Sequence, residues 1–500
     1  MTDFEKGLYF TEKQEYDKAI LCFKKCARDG SSEAMNNLAS IYVKLKDYEQ
    51  AIATYKDLVK KGYRKAYKNL VILYEITKQY EKEAKILQEM VEFDETAVIN
   101  LAYLKINFLN QEQEGLDILK KAAANQNALA YLELGNYFQH NGNLSEAKEN
   151  YNEASRLGNT EAMFHIGKIY YETKNFKDAE FWLNEAAKGG HVSAYTLLGD
   201  LYYLEKKEYV KAFEKYEVAA NNDDGYAMNK LGNLYQNIFH NASVALKWYK
   251  LAIEQKHIPA MVSLGYFYFK EPDFYDFNSA RSWFTQAYKA NELDGLVGLG
   301  YIYFYDENNK NATKALDYLS IAVKRGSVHA MILLGQIYSK DVINYDLEQA
   351  KTYYTQALNS DTSGMVRYKL ANVYAAERNN GKFLALLNEA CDREYPPALY
   401  QYGKLLCDNS FVRFDYLQGL NMISRASDLM LIEATKFLAV KYADKRCKYY
   451  DPSKASFYAN RLITQIVDES QRFETPKLIS NMSTDELISS VILLLDKIQL

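Results

Sequence analysis

The sequence predicts an all-α protein, a right-handed α-solenoid of about fourteen helix-turn-helix repeats with a C-terminal capping helix. Three observations predict this class. One short pattern recurs along the chain at intervals of 31 to 36 residues, and such periods are typical of stacked repeats. Only 6 prolines and 23 glycines occur in 500 residues, which is few for sheets and linkers. Tyrosine is frequent, with 45 copies, and one position of the pattern takes an aromatic residue in most repeats.

The pattern is a small residue, three others, an apolar residue followed by Gly, two others and Tyr. Ala194, Gly199 and Tyr202 mark it in the seventh repeat, and a second signature such as Trp182 and Ala186 follows it in the sixth. Spacings of three and four residues place these side chains on one helical face. Each repeat is therefore expected to contain a first helix, a short loop, a second helix and a tight turn. The copies start at Thr2, Ala34, Ala66, Ala97, Ala130, Ala162, Ala194, Ala227, Ala260, Gly295, Ala330, Val366, Ala398 and Ala434.

Each recurring position has a physical reason. Gly inside a helix costs about 1 kcal/mol relative to Ala, so its recurrence predicts that the second helix packs closely there. The aromatic residue three positions later is expected to fill the wedge between neighbouring repeats. Gly158, Gly190 and Gly326 follow second helices, where a left-handed residue is favoured. The extra residues of copies nine to eleven, such as 305–311, fall between the two helices of a repeat.

These units resemble Sel1-like repeats, a branch of the tetratricopeptide superfamily, over roughly residues 2–470. Copies six to eleven fit closely. The first four are nearer to plain tetratricopeptide repeats, and the fourth has Lys105 where the aromatic residue belongs. The predicted division is 1–127 for tetratricopeptide-like repeats, 128–470 for the Sel1-like solenoid, and 471–500 for a connector and the capping helix.

The two ends of a solenoid must cover the apolar faces of their terminal repeats. Thr2 and Glu5 form a capping box at the start, and Ser483 and Glu486 form another near the end. The second opens a helix through about Lys497 whose apolar face is wide. We expect this helix to cap the last repeat; the alternative is a helix that forms a homodimer.

Sequence signatures of chemistry are absent. No phosphate-binding loop, dinucleotide fingerprint, nucleophile elbow or zinc-protease motif occurs. The six histidines are not at metal-ligand spacing, and the five cysteines suggest no disulfide framework. The sequence therefore predicts no enzyme, with no catalytic, cofactor-binding or metal-binding residues. An enzyme with an unrecognised site would need titratable groups converging in a cleft.

Charge and hydropathy limit the partners and the location. The net charge of −4 argues against a nucleic-acid scaffold and against a polybasic membrane anchor. Neither a signal peptide nor a membrane-spanning stretch is visible, which predicts a cytoplasmic protein without membrane insertion. A leader removed upstream would instead favour a secreted or envelope-associated factor that interacts with a host.

In tetratricopeptide relatives the first helices line a concave groove that holds ligands. By this resemblance the inward positions lie two, six and nine residues after each small residue. Tyr and Phe there can anchor a partner, and Asn and Gln can pair with the backbone of an extended peptide. The alternative is that the aromatic residues only pack against adjacent first helices. The candidate partner-binding residues are Lys168, Tyr171, Asp200, Tyr203, Asn229, Asn233, Gln236, Tyr266, Phe269, Tyr301, Phe304, Gln336, Asn372, Tyr400 and Lys404.

The function predicted from these features is a scaffold or adaptor that binds partner proteins or extended peptides on its concave face. One alternative is a regulatory repeat protein that senses a peptide or another ligand and changes its superhelical pitch. The other is the secreted or envelope-associated host-interaction factor. Fold alone does not decide among these functions.

Overall fold

The computed structural model describes residues 1–340, 345–408, 415–445 and 447–466. Those residues contain helices, turns and loops and no β-strand. The chain divides into two compact units, Met1–Leu201 and Tyr202–Leu500. The predicted all-α repeat class is thereby confirmed.

The first unit consists of short helices of similar length. Most are 13 residues long, about three and a half turns. They are α1 (Asp3–Glu12), α2 (Tyr16–Arg28), α3 (Ser32–Lys44), α4 (Tyr48–Lys60), α5 (Lys65–Ile76), α6 (Tyr80–Met90), α7 (Glu95–Asn107), α8 (Glu112–Ala124), α9 (Ala128–His140), α10 (Leu144–Arg156), α11 (Thr160–Glu172), α12 (Phe176–Lys188) and α13 (Val192–Asp200).

The second unit continues the same series. A π-helical turn, Leu201–Lys206, extends the first helix of the seventh repeat. The helices that follow are α14 (Tyr209–Ala220), α15 (Gly225–Asn237), α16 (Ala242–Glu254), α17 (Pro259–Lys270), α18 (Phe277–Lys289), α19 (Asp294–Tyr305), α20 (Ala312–Lys324), α21 (Val328–Lys340), α22 (Leu347–Ala357), α23 (Met365–Ala376), α24 (Asn380–Asp392), α25 (Pro396–Asp408), α26 (Tyr416–Asp428), α27 (Ile432–Ala443) and α28 (Pro452–Ile466).

Odd-numbered helices are the first helices of the repeats, and even-numbered helices are the second. The recurring glycines lie where the two helices of a hairpin meet. A Cβ atom at Gly265 would lie 2.7 Å from the ring of Phe284, and one at Gly335 would lie 2.6 Å from the ring of Tyr354. Both rings are buried. The close approach predicted from the glycines is confirmed at these positions.

The recurring aromatic residue is wedged between second helices. The ring of Tyr303 lies 5.5 Å from that of Phe277 on α18, which belongs to the preceding repeat. It also stacks at 5.9 Å on Tyr318 of α20, in its own repeat. For Tyr303, the predicted packing between neighbouring repeats is confirmed.

The turns between repeats use left-handed residues. Gly158, Gly190 and Gly326 have φ angles of 83°, 87° and 86°, as predicted. Loops inside repeats are three residues long in many copies, for example 173–175, and six in the ninth and tenth copies, for example 306–311. The extra residues therefore lie where the sequence places them.

Among helices that are not consecutive, the most extensive contacts in the described part of the chain all join first helices. In the first unit they join α7 to α9 and α11 to α13. In the second unit they join α15 to α17, α17 to α19, and α19 to α21. First helices of neighbouring repeats thus lie side by side.

The N-terminal capping box is confirmed, because the Thr2 hydroxyl accepts from the amide of Glu5 while the Glu5 carboxylate accepts from the amide of Thr2. The predicted capping helix with Ser483 and Glu486 lies outside the described residues. Within them, no helix is long and apolar enough to cross a membrane.

Candidate functional site

Every candidate partner-binding residue lies on a first helix or on its π-helical extension. In the first unit, Lys168 and Tyr171 lie on α11 and Asp200 lies on α13. In the second unit, the remaining candidates follow the order of the first helices. They are Tyr203 in the π-helical turn, Asn229, Asn233 and Gln236 on α15, Tyr266 and Phe269 on α17, Tyr301 and Phe304 on α19, Gln336 on α21, Asn372 on α23, and Tyr400 and Lys404 on α25.

The structure brings three of these residues together between α17 and α19. The ring of Tyr301 lies 5.5 Å from the ring of Tyr266 and 5.7 Å from the ring of Phe269, edge to face in both cases. This arrangement matches the favourable electrostatics of aromatic pairs. All three side chains are partly exposed. They form a continuous aromatic surface across two repeats.

A lysine and a further tyrosine complete this surface. The ammonium of Lys270 lies 5.1 Å from the ring centre of Tyr266 and 5.3 Å from that of Tyr301. Tyr305 is 46% exposed, and its ring lies 4.7 Å from that of Tyr301. We call Tyr266, Phe269, Lys270, Tyr301 and Tyr305 the aromatic patch.

Two candidates contribute little surface. Phe304 is only 6% exposed and belongs to the core around α19, and Asn229 is only 7% exposed. The ammonium of Lys310, from the loop after α19, lies over the Phe304 ring at 5.1 Å.

Tyr266 has a packing role in addition to its place in the aromatic patch, since its ring lies 4.9 Å from that of Phe284 on α18. Burial raises the pKa of Tyr266, so its hydroxyl stays protonated.

The amide candidates on α15 help to hold their own hairpin together. The buried hydroxyl of Tyr249 on α16 donates to Asn233 Oδ1 at 2.9 Å and to Gln236 Oε1 at 2.8 Å. A hydroxyl has one proton, so the two oxygens share it. Burial raises the pKa of Tyr249 and keeps that proton in place. A peptide that binds here would meet the amide NH2 groups rather than these oxygens.

Four further candidates have partners within their own unit. Asn372 Oδ1 accepts from Gln401 Nε2 of α25 at 3.2 Å. The ammonium of Lys404 lies 5.5 Å from the ring of Tyr400. In the first unit, Lys168 Nζ lies 4.0 Å from a carboxylate oxygen of Glu172.

Sequence reasoning missed Lys270 and Tyr305. Both lie ten residues after the small residue of their repeat, one position beyond the offsets used. A helix advances 100° per residue, so positions six and ten lie on one face. That geometric signal could have found them.

The described residues contain no group of three His, Cys, Asp or Glu side chains that could hold a metal ion. The candidate surface offers aromatic rings, amides and ammonium groups. These groups are suited to non-covalent recognition.

Comparisons with protein families identify the repeats. A tetratricopeptide repeat model matches residues 32–60, and another matches 132–190. The Sel1 repeat model matches four consecutive segments, 225–257, 258–292, 293–327 and 328–361. The chain is therefore a helical repeat protein that carries tetratricopeptide and Sel1 repeats. The match at 132–190 lies in the range predicted to be Sel1-like, so the boundary at 128 and the repeat count stay predictions.

Solved structures of several repeat proteins resemble the chain. A protective antigen of uropathogenic Escherichia coli with an SLR fold, c5321, is 19% identical, with a TM-score of 0.42, over 83% of this chain and 97% of that one. A Sel1 repeat protein from Oxalobacter formigenes is 25% identical, with a TM-score of 0.38, over 46% and 100%. Yeast Tom70 is 15% identical, with a TM-score of 0.41, over 89% and 98%. No curated protein matches the chain.

Proposed function

We propose that this protein is an interaction scaffold that binds an extended segment of a partner protein along its first helices. Tetratricopeptide and Sel1 repeats generally mediate interactions between proteins. The observation that carries the proposal is the aromatic patch. It places four aromatic residues and one lysine on neighbouring first helices, and each of these residues is partly or largely exposed.

Large aromatic side chains contribute most of the binding energy at many interfaces, because they bury much area at a low entropic cost. The rings of the patch are already fixed against one another, so little order would be lost on binding. Lys270 adds a cation that could pair with an acidic side chain of the partner. The patch therefore combines an apolar anchor with a charge that selects among partners.

The contacts between neighbouring first helices favour an extended ligand. Packed helices lie about 8–10 Å apart, and an extended chain advances about 3.3 Å per residue. A segment that crosses the first helices would thus meet a new helix about every third residue. Side chains at that spacing could contact Tyr266, then Tyr301, then Gln336, which occupy the same position in consecutive repeats.

The test is an affinity capture from native lysate with the wild type and a Tyr266→Ala, Phe269→Ala, Tyr301→Ala triple variant. We expect partners that the wild type retains to be lost from the triple variant. Circular dichroism and a thermal melt establish whether the variant is folded. A folded triple variant that retains every partner would contradict the proposal.

A matched control removes exposed apolar side chains from second helices of the same unit. Leu251 on α16, Ile321 on α20 and Leu417 on α26 are 40%, 42% and 60% exposed. The Leu251→Ala, Ile321→Ala, Leu417→Ala variant should retain the partners. If both triple variants lose the same partners, binding does not depend on the first helices.

A further inference from the structure

A small cavity lies between α21, α22 and α23 in the second unit. Its volume is about 210 Å³, below the range of about 300–1,000 Å³ that is typical of sites for small organic molecules. The polar residues that line it are Ser339, Lys340, Tyr354, Tyr368, Lys369 and Asn372. We call this cavity the lysine pocket.

Two lysines without an acidic partner meet in the lysine pocket. Lys369 is half-buried and Lys340 is exposed, and neither forms an ion pair in the described part of the chain. Burial, and then the charge of Lys340, hold the pKa of Lys369 below its usual range. Burying an ammonium without a counter-ion is costly. The half-burial of Lys369 without a carboxylate partner among the described residues therefore favours an anionic ligand.

Carboxylates on the adjoining helices are paired elsewhere. Lys351 binds Glu348 at 2.7 Å and Glu377 at 2.8 Å. Asp346 accepts from the backbone amides of Glu348 and Gln349 at the start of α22. None of these carboxylates lines the lysine pocket. Among the described residues no carboxylate lines the lysine pocket, so the described lining carries a positive charge.

The other polar groups can donate hydrogen bonds to an anion. Asn372 Oδ1 accepts from Gln401, which leaves the NH2 group of Asn372 available as a donor. Burial raises the pKa of Tyr354 to about 12, so its hydroxyl keeps a proton, and this hydroxyl is hydrogen-bonded to Ser339. The two ammoniums and the amide are donors of the kind that bind oxyanions in proteins.

We propose that the lysine pocket binds a phosphoryl group on a side chain of the partner segment. Two ammoniums match a dianion, and a phosphate monoester carries about −1.5 to −2 charges at pH 7, whereas a carboxylate carries one. Asn372 occupies the same repeat position as Tyr266, Tyr301 and Gln336. The pocket therefore continues the row of residues to which the aromatic patch belongs, and in this respect it rests on the proposed function.

The experiment titrates the full chain, by calorimetry at constant ionic strength, with inorganic phosphate, N-acetyl-phosphoserine amide and acetate. We expect both phosphate compounds to bind at least tenfold more tightly than acetate. The Lys340→Gln, Lys369→Gln double variant should weaken phosphate binding at least tenfold. Lys324→Gln, which changes an exposed lysine at the end of α20, should leave it unchanged.

Four results would overturn the inference. Phosphate binding that persists in the double variant, or is absent from the wild type, excludes the pocket as a phosphate site. If acetate binds as tightly as phosphate, the pocket does not prefer a dianion to a monoanion. If inorganic phosphate binds and the phosphoserine compound does not, the ligand is not a phosphoryl group on a partner side chain.

Two further measurements distinguish an anion-binding pocket from a structural pair of lysines and from the aromatic patch. Lys369→Gln should leave the melting temperature unchanged or raise it, because it removes an uncompensated charge; a structural lysine would lower it. The triple variant in the aromatic patch should still bind phosphate even if the proposed partner binding fails. If the folded triple variant loses phosphate binding, the lysine pocket does not bind phosphate independently of the aromatic patch.

Discussion

At the residue scale, the recurring glycines determine how closely the two helices of a repeat approach. Gly335 on α21 faces the ring of Tyr354 on α22, which is only 2% exposed. The ring packs against α21 on one side and lines the lysine pocket on another, so a Cβ atom at position 335 would have to displace it from its packed position. The sequence could predict this contact because an unfavourable helix residue recurs in phase, and only packing explains such recurrence.

Replacing Gly335 with Ala should destabilise the fold by about 1–3 kcal/mol, since the new Cβ would overlap the ring of Tyr354. Urea denaturation measures this change. Gly381→Ala on α24 is the control, because the nearest atom to its Cβ would lie 3.9 Å away. That variant should not be destabilised, since Ala is the better helix former. Equal effects of the two substitutions would disprove the role of close packing at Gly335.

Glu83 is a buried carboxylic acid at a position where the neighbouring repeats have a small residue. It lies on α6 at the position where Ala51 stands one repeat earlier and Gly115 one repeat later. It is 6% exposed, and its Oε2 atom has no hydrogen-bond partner. Burial, and then the charge of Glu75, raise the pKa of Glu83 to about 7. The repeat register indicates that this position is buried, but the sequence gives no reason for a carboxyl group there.

The raised pKa of Glu83 predicts a pH-dependent stability. The folded state holds the proton more tightly than the unfolded state, whose pKa is near 4.5. Stability should therefore fall as the pH rises from about 4.5 to about 7, and the loss should be complete above that. Between pH 4.5 and pH 8, the free energy of unfolding of the wild type should fall by roughly 1–3 kcal/mol more than that of the Glu83→Gln variant. Urea denaturation at both values measures it.

Glu81→Gln on the same helix is the control for this pH dependence, because Glu81 is exposed. It should follow the wild type across the whole pH range. A Glu83→Gln variant with the slope of the wild type would show that another group is responsible.

At the element scale, the sequence predicts the helices and the glycine turns but misses other left-handed turns. Lys46, Lys78 and Lys174 have φ angles of 60°, 54° and 59° at the ends of first helices. Lysine gives no signal of a left-handed conformation, because side chains with a Cβ rarely adopt it. Helix packing on both sides fixes these turns, and a reading of local sequence cannot detect that constraint.

Lys46→Gly, between α3 and α4, should stabilise the fold by about 0.5–1 kcal/mol. Glycine relieves the strain at a φ of 60°, and its greater freedom in the unfolded chain offsets part of that gain. Leu45→Gly is the matched control, since Leu45 has a φ of −79°. Thermal melts should rank Lys46→Gly above the wild type and Leu45→Gly below it. The reverse order would contradict the assigned strain.

At the scale of the whole molecule, the sequence identifies the class of fold and only part of the binding surface. Counting a fixed number of residues from the small residue of each repeat identifies Tyr266 and Tyr301, because positions on one helical face recur with the helical period. The same offsets select Phe304, which is buried. A fixed offset cannot account for Lys310, which comes from a longer loop and covers that ring. Contacts between repeats decide exposure, and they depend on the tertiary structure.

The neighbouring contacts of first helices support placing the partner on their side of the repeats. In the second unit, α15 contacts α17, α17 contacts α19, and α19 contacts α21. We expect a partner to contact these helices and to leave the second helices free.

Photo-crosslinking tests this central claim most directly. A benzophenone amino acid would replace Phe269 or Tyr305 on first helices, or Leu251 or Ile321 on second helices, all in the second unit. We predict crosslinks to the same partner from both first-helix positions and from neither second-helix position. Crosslinks to that partner from the second helices, with none from the first, would contradict the assignment of binding to the first helices.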